Sequence, residues 1–230
     1  MKIKGIMEYR FMVLTGNYGS GKTEIALNLA MESAARGRKT TLVDLDIVNP
    51  YFRSAEKKEM LEEAGVRVMM PSFAMTTVDI PALPAEIQSV FETPGDMVIF
   101  DVGGDDTGAA ALGQYDPAFR RVREETCSAL VINCMRPLTR TEEDIIDLAE
   151  RIGRRGRLGI DLLINNTNLA GRTEAGMVEE GEAIVRACGE RMGIESILTT
   201  GLSDVLAGCK LKTGTMAIRR NMVPEWMEEE

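Results

Sequence analysis

Histidine is absent from this chain of 230 residues. That removes Ser-His-Asp and Cys-His catalysis, and histidine-ligated metals, from the chemistry the chain can perform alone. Cysteine is sparse: Cys127, Cys134, Cys188 and Cys209 lie far apart and form no C-x-x-C pair, so buried reduced thiols are expected rather than a redox or metal motif. No apolar stretch approaches the roughly 18 uncharged residues of a membrane-spanning helix. The segment Met1 to Gly16 carries Glu8 and breaks off into glycine, unlike a secretory leader. A cytoplasmic protein with no membrane attachment is expected. Positive charge is also short: 27 Lys and Arg against 36 Asp and Glu give a net −9, which repels phosphodiester backbones and argues against a nucleic-acid partner. The most basic run, Arg151 to Arg157, falls at the end of an expected helix, where cations complement the dipole.

What is present reads as an ordinary globular chain, with 44% hydrophobic and 27% charged residues. Short β-branched runs alternate with helical patterns. Strands are expected at 11–15, 40–46, 66–70, 96–102, 128–134 and 159–165, with a weaker one at 195–200. Helices are expected at 22–36, 54–64, 141–155 and 173–192, the third opening with Thr141 and Asp144 in capping-box spacing. Several strands are apolar on both faces, as a sheet covered by helices on each side requires. The fold class is therefore α/β: a mostly parallel, doubly wound sheet with helices on both faces. No repeat or linker divides the chain, so residues 1–230 are expected to form one domain. The irregular stretch 71–84, punctuated by Pro71, Pro81 and Pro84, reads as either a lid or a surface excursion.

Right-handed crossovers place all strand C-termini on one edge, where ligands bind. The first strand ends in Gly16-Asn17-Tyr18-Gly19-Ser20-Gly21-Lys22-Thr23, which matches G-x-x-x-x-G-K-[ST] in the strand–loop–helix setting that motif needs. Glycines let successive backbone N–H groups converge on a phosphate chain at a helix N-terminus. Lys22 would reach the β- and γ-phosphates and the Thr23 hydroxyl would bind Mg²⁺, with Gly16 through Glu24 as the nucleotide-contacting segment. This makes the expected domain a P-loop NTPase.

Carboxylates at the same edge would complete such a site. Asp44 and Asp46 close the second strand and share a face, being two residues apart in an extended chain. Asp101 follows Val98, Ile99 and Phe100 as a metal-organising aspartate would. Charge at the end of a buried strand is costly unless a cation or hydrogen-bond donor compensates it. Thr23, Asp44 and Asp101 are thus the candidate Mg²⁺ residues. For Asp44, Asp46 and Asp101 alike, strand-end caps bonded to turn amides are the other reading.

The phosphate loop, then Val43-Asp44-Leu45-Asp46-Ile47-Val48-Asn49-Pro50, then an apolar strand into Asp101-Val102-Gly103-Gly104, resembles the MinD/ParA group of P-loop ATPases (the CobQ/CobB/MinD/ParA nucleotide-binding set). The resemblance runs in order from Phe11 to about Thr200. It implies ATP and Mg²⁺ as ligands, Asp44 at the magnesium shell, Asp46 positioning the attacking water beside Lys22, and Gly104 sensing the γ-phosphate. It implies switch segments at 46–50 and 101–107, a protein partner, and a homodimer as a compatible assembly. One departure stands out: where the family places a lysine after the first glycine of the loop, this chain has Asn17, which brings no charge to a transferring phosphoryl group. Arg53 reads as either a replacement cation or a surface residue capping the next helix.

The strand at 159–165 runs into Asn165 and Asn166, where related P-loop ATPases hold adenine through an asparagine amide, one donor and one acceptor. A turn satisfying its own backbone is the alternative. No N-K-x-D sequence follows, which favours ATP over GTP. The expected function is a Mg²⁺-dependent ATP-binding protein, a slow ATPase and nucleotide-controlled switch, with ATP and ADP as its ligands. The alternatives are a small-molecule kinase or ATP-dependent synthetase of the dethiobiotin or cobyrinate type, and a nucleotide sensor that does not hydrolyse.

Overall fold

A computed structural model describes residues 5–46, 58–69, 85–104 and 106–221. In chain order its regular elements are β1 (Phe11–Thr15), α1 (Lys22–Ala35), β2 (Thr40–Leu45), α2 (Lys58–Glu63), β3 (Val66–Met69), α3 (Ala85–Glu92), β4 (Met97–Val102), α4 (Asp106–Gly113), α5 (Asp116–Arg121), β5 (Thr126–Ile132), α6 (Glu142–Gly156), β6 (Leu162–Asn165), α7 (Ala175–Met192), β7 (Ile197–Gly201), α8 (Ser203–Ala207) and β8 (Gly214–Ala217). The strands pair in parallel throughout, in the order β3-β2-β4-β1-β5-β6-β7-β8. The sheet thus winds outward both ways from its middle, and β1 delivers the glycine-rich loop at that point.

Alternation along β1 explains the layering. Met12 and Leu14 face α1, packing with Ile25, Leu29, Ile99, Ala129 and Ile164. Phe11 and Val13 face the other way, into a cluster with Phe100, Tyr115 and Phe119. There Phe91 stacks on Phe11 with ring centroids 5.5 Å apart and meets Phe119 edge-on at 4.9 Å. Further along the same face, Leu130, Ile132 and Leu163 pack against Ile145, Leu148, Ile152 and Val185 of α6 and α7. Each such buried side chain contributes roughly 1.5–3 kcal/mol relative to exposure.

The capping box forms with aspartate in the usual glutamate position: Thr141 Oγ1 accepts from the Asp144 N–H at 3.2 Å, and the Thr141 N–H donates to Asp144 at 3.2 Å. The basic run closes α6, where Arg151 pairs with Asp147 and Arg154 with Glu150 on the same helix. Some boundaries differ from expectation. The strand expected at 159–165 begins only at Leu162, because Asp161 turns its carboxylate to the Ser128 N–H and to Arg123. The weak strand at 195–200 is β7, and β8, α3, α4, α5 and α8 add elements that no pattern announced. Residues 47–50, Arg53 and the stretch 71–84 lie outside the described residues.

Candidate functional site

Three glycines in six residues shape the loop after β1. Gly16, Gly19 and Gly21 have φ of 142°, 72° and 90°, a region where only glycine is at ease. At Gly21 a Cβ would also run into Asn166 Nδ2, and at Gly16 into the Val131 carbonyl. The loop is thus clamped between β5 and the end of β6, and it opens directly into α1, whose first-turn amides are an anion site by construction. Lys22 is almost buried, and its ammonium donates to the Asn17 carbonyl at 3.0 Å, across the loop it belongs to. Asn17 Oδ1 accepts from the Tyr18 N–H at 2.8 Å.

The carboxylates arrive from neighbouring strands in register: Asp44 on β2 sits opposite Asp101 on β4, and both are 3% exposed. The Thr23 hydroxyl donates to Asp101 Oδ2 at 2.6 Å, while Asp101 Oδ1 is buried without a hydrogen-bond partner among the described residues. Burial pushes the Asp101 carboxyl up to about 6; Asp46 adds to the rise, while Lys22 and the Thr23 hydroxyl oppose it. Asp44 Oδ1 accepts from the Asp46 N–H at 2.9 Å, which fixes Asp46 where β2 ends. The turn after β4 closes on this group: a Cβ at Gly103 would lie 3.1 Å from Asp46 Oδ1, and one at Gly104 would lie 2.6 Å from the Tyr18 nitrogen. The structure therefore brings Lys22, Thr23, Asp44, Asp46, Asp101 and Gly104 together at one end of the sheet.

A cavity of about 730 Å³ opens over the loop, within the size range of ligand sites. Asn17, Tyr18, Lys22, Thr23, Glu24 and Asp46 line it together with Asn166, Asn168, Leu202, Val205 and Ile218, with Arg136 and Arg220 also in its wall. The two asparagines at the end of β6 separate in role. Asn165 is fully buried: its amide donates to the Val178 carbonyl and Thr199 Oγ1, and its oxygen accepts from the Thr167 N–H and hydroxyl. That leaves nothing for a base, and the expectation that Asn165 reads adenine is corrected: it splices β6 to β7 and α7. Asn166 donates to the Ser20 carbonyl at 2.8 Å and accepts from Thr200 Oγ1 at 2.9 Å. Among the described residues its second N–H has no such partner, and Asn166 lines the cavity.

Glu24 also lines the cavity, but its carboxylate accepts from the Asn221 N–H and side-chain amide at 2.5 and 2.9 Å, so it fastens the end of the described chain. Sequence reasoning missed Arg136, Ile218 and Arg220. They belong to no motif; only the assembly of the sheet from β1 through β5 to β8 brings them to the cavity. The four cysteines stand apart from the site, and burial raises every thiol, Cys127 and Cys188 to about 12. Among the described residues no cluster of three or more Cys, Asp or Glu is placed to hold a metal, and no helix is long and apolar enough to cross a membrane.

No protein-family profile matches the chain. Over 87 residues it is 34% identical to the iron-sulfur cluster carrier protein of Saccharolobus solfataricus, a match covering 36% of this chain and 29% of that protein. Its backbone follows the signal recognition particle 54 kDa protein of Aeropyrum pernix, solved with GDP, at a TM-score of 0.51 and 26% identity over 84% of this chain and 42% of that one. It follows a nucleotide-binding protein of Archaeoglobus fulgidus, solved with ADP, at 0.52 and 19% identity over 87% and 84% of the two chains. The cell division protein FtsY of Thermotoga maritima gives a TM-score of 0.55 at 19% identity, over 86% of this chain and 66% of that one. The chain spans less than a third of the curated relative it matches.

Proposed function

We propose that this chain, a P-loop NTPase by fold and similar to the MinD/ParA-type ATPases, binds ATP with Mg²⁺, hydrolyses it slowly, and uses the difference between its nucleotide states to control a protein partner. The observation that carries the reading is the bond from Thr23 Oγ1 to Asp101 at the mouth of the loop, together with the unpartnered buried oxygen of the same carboxylate. A buried carboxylate with one oxygen unsatisfied suits a hard cation, which oxygen donors bind. Thr23, Asp44 and Asp101 would hold Mg²⁺, which when bound neutralises charge on the phosphates.

The remaining work falls to the chain. Loop amides and the N-terminus of α1 cradle the phosphates, and Lys22 exchanges the Asn17 carbonyl for phosphate oxygen. Asp46 accepts a proton from water and orients it. Asn166 offers its free N–H to a purine ring nitrogen while its other contacts keep the loop in place. Gly103 and Gly104 lie against Asp46 and the loop, so a phosphate there would press on the β4 turn, and ordering of that turn in one nucleotide state is a surface a partner can read. A cytoplasmic location and a partner-dependent or homodimeric assembly complete this proposal. Cluster carriage does not transfer from the relative, because cluster ligation needs several thiolates together and this chain has no C-x-x-C pair.

Calorimetry of the full chain with Mg-ATP tests the reading. Binding in the micromolar range or tighter, lost on Lys22→Ala, and a phosphate release of at most about one per minute are the expected results. Normal ATP binding by the Lys22→Ala protein would overturn it.

A further inference from the structure

The turn after β5 holds more polar order than an exposed connector needs. Asn133 at its start is fully buried, and its amide spans two loops: Oδ1 accepts from the Met135 and Asn168 N–H groups at 3.0 and 3.2 Å, and Nδ2 donates to the Asn168 carbonyl at 3.1 Å. The Asn133 carbonyl accepts from the Arg136 N–H at 3.0 Å and from the buried Thr139 hydroxyl at 2.7 Å, and the Thr139 N–H returns to the Arg136 carbonyl at 3.1 Å. Pro137 follows directly and opens a short 3-10 turn, with its own φ locked. Arg136 is therefore an exposed side chain on a fixed backbone.

That side chain lies against the phosphate loop. Arg136 Nε donates to the Gly19 carbonyl at 3.1 Å, and the residue lines the same cavity as Lys22 and Thr23. The bond takes one of five guanidinium N–H groups, and among the described residues no carboxylate pairs with Arg136. The cations lining the cavity are Lys22, Arg136 and Arg220, against Glu24 and Asp46. Arg220 Nη1 would lie 3.9 Å from a Cβ placed on Gly171, whereas Arg136 Nε would lie 3.3 Å from one placed on Gly19, within the loop.

We propose that Arg136 is a phosphate-binding residue of this cavity, its terminal guanidinium nitrogens taking the polyphosphate of a bound nucleoside triphosphate and supplying the loop with a cation that Asn17 does not. The proposal rests on the nucleotide reading above. A planar fork meets two phosphate oxygens at once, and a stem already fixed by the Gly19 bond and the Asn133 turn loses little freedom on binding. Lysine at the same place would keep the charge and lose the fork.

The test is calorimetry of the full-length chain with Mg-ATP for the wild type, Arg136→Ala, Arg136→Lys, Lys22→Ala and Arg140→Ala, with thermal melts to confirm folding. Arg136→Ala is expected to weaken binding tenfold or more, Arg136→Lys to recover part of that loss, and Arg140→Ala, which removes an exposed charge a few residues away, to stay within twofold. Arg136→Ala within twofold of wild type while Lys22→Ala loses binding would overturn the proposal and leave the nucleotide site standing. Equal losses in Arg136→Ala and Arg140→Ala would overturn it as general electrostatics. ATP binding that survives Lys22→Ala would instead remove the nucleotide reading itself.

Discussion

Asp101 is where burial and chemistry oppose each other most sharply. Its carboxyl rises from 3.8 to about 6, chiefly because burial penalises the charged form. The folded chain therefore holds a proton between those values that the unfolded chain has released. The contribution of Asp101 to stability without nucleotide is greatest below that window and is lost as pH rises through it. Urea midpoints of the nucleotide-free chain, followed from pH 3.5 to 7.5, should show the decline in the wild type and a flatter curve in Asp101→Asn. An unchanged slope in the variant would assign the titration to another group. A cation on the unsatisfied oxygen reverses the preference by favouring the ionised form, so Mg-ATP should restore stability most above pH 6. At the same scale Asn165 and Asn166 are adjacent in sequence, yet Asn165 spends all of its side-chain hydrogen bonds inside the protein while Asn166, bonded to Ser20 and Thr200, also lines the cavity.

Helix α7 shows how tightly an element must fit for the loops beneath it to hold their positions. Gly181 faces the end of β6, where a Cβ would collide with the Thr167 side chain and lie 2.8 Å from Asn165 Oδ1. Gly181→Ala should therefore cost about 1–3 kcal/mol, the usual penalty for overpacking. Gly176, on the same helix with nothing within 4 Å of its would-be Cβ, should tolerate alanine and gain up to about 0.5 kcal/mol, because glycine lowers helix stability. Urea denaturation of the pair separates packing from propensity: equal effects would mean the β6 contact carries no weight. The strands were legible because their apolar runs are long and the phosphate motif fixes the first connection. β8 was not, since Gly214-Thr215-Met216-Ala217 has an exposed edge and no apolar run, and α4, α5 and α8 are too short for a periodic signal. The same logic divides the site. Lys22, Thr23 and the aspartates announce themselves by motif and strand position, whereas Arg136, after β5, and Arg220, after β8, acquire their place only once the sheet has assembled from β1 out to β8.

Across the whole molecule, the last described segment is sewn onto α1 beside the cavity. The segment after β8 turns back over α1: the Ile218 N–H donates to the Gly201 carbonyl at 2.9 Å, the Asn28 amide donates to the Arg219 carbonyl at 2.8 Å and accepts from the Arg219 N–H at 2.7 Å, and Asn221 fastens on Glu24. α1 grows directly out of the phosphate loop, and Ile218 and Arg220 of this strap line the cavity. Strap and cavity therefore share one helix and one wall, and on the nucleotide reading proposed above, binding at the wall should tighten the strap by the same free energy with which the strap tightens binding. Asn28→Ala removes both bonds to Arg219 and should cost about 1–3 kcal/mol for the groups left unpaired. It should also weaken Mg-ATP binding several-fold and speed amide exchange at Arg219. Glu32→Ala, which breaks only the exposed pair with Arg36 further along the helix, should cost under about 1 kcal/mol and leave ATP affinity unchanged. Were Asn28→Ala to lose stability at unaltered ATP affinity, the strap would be a structural fastening alone, and the coupling between the chain's far end and its phosphate loop would not exist.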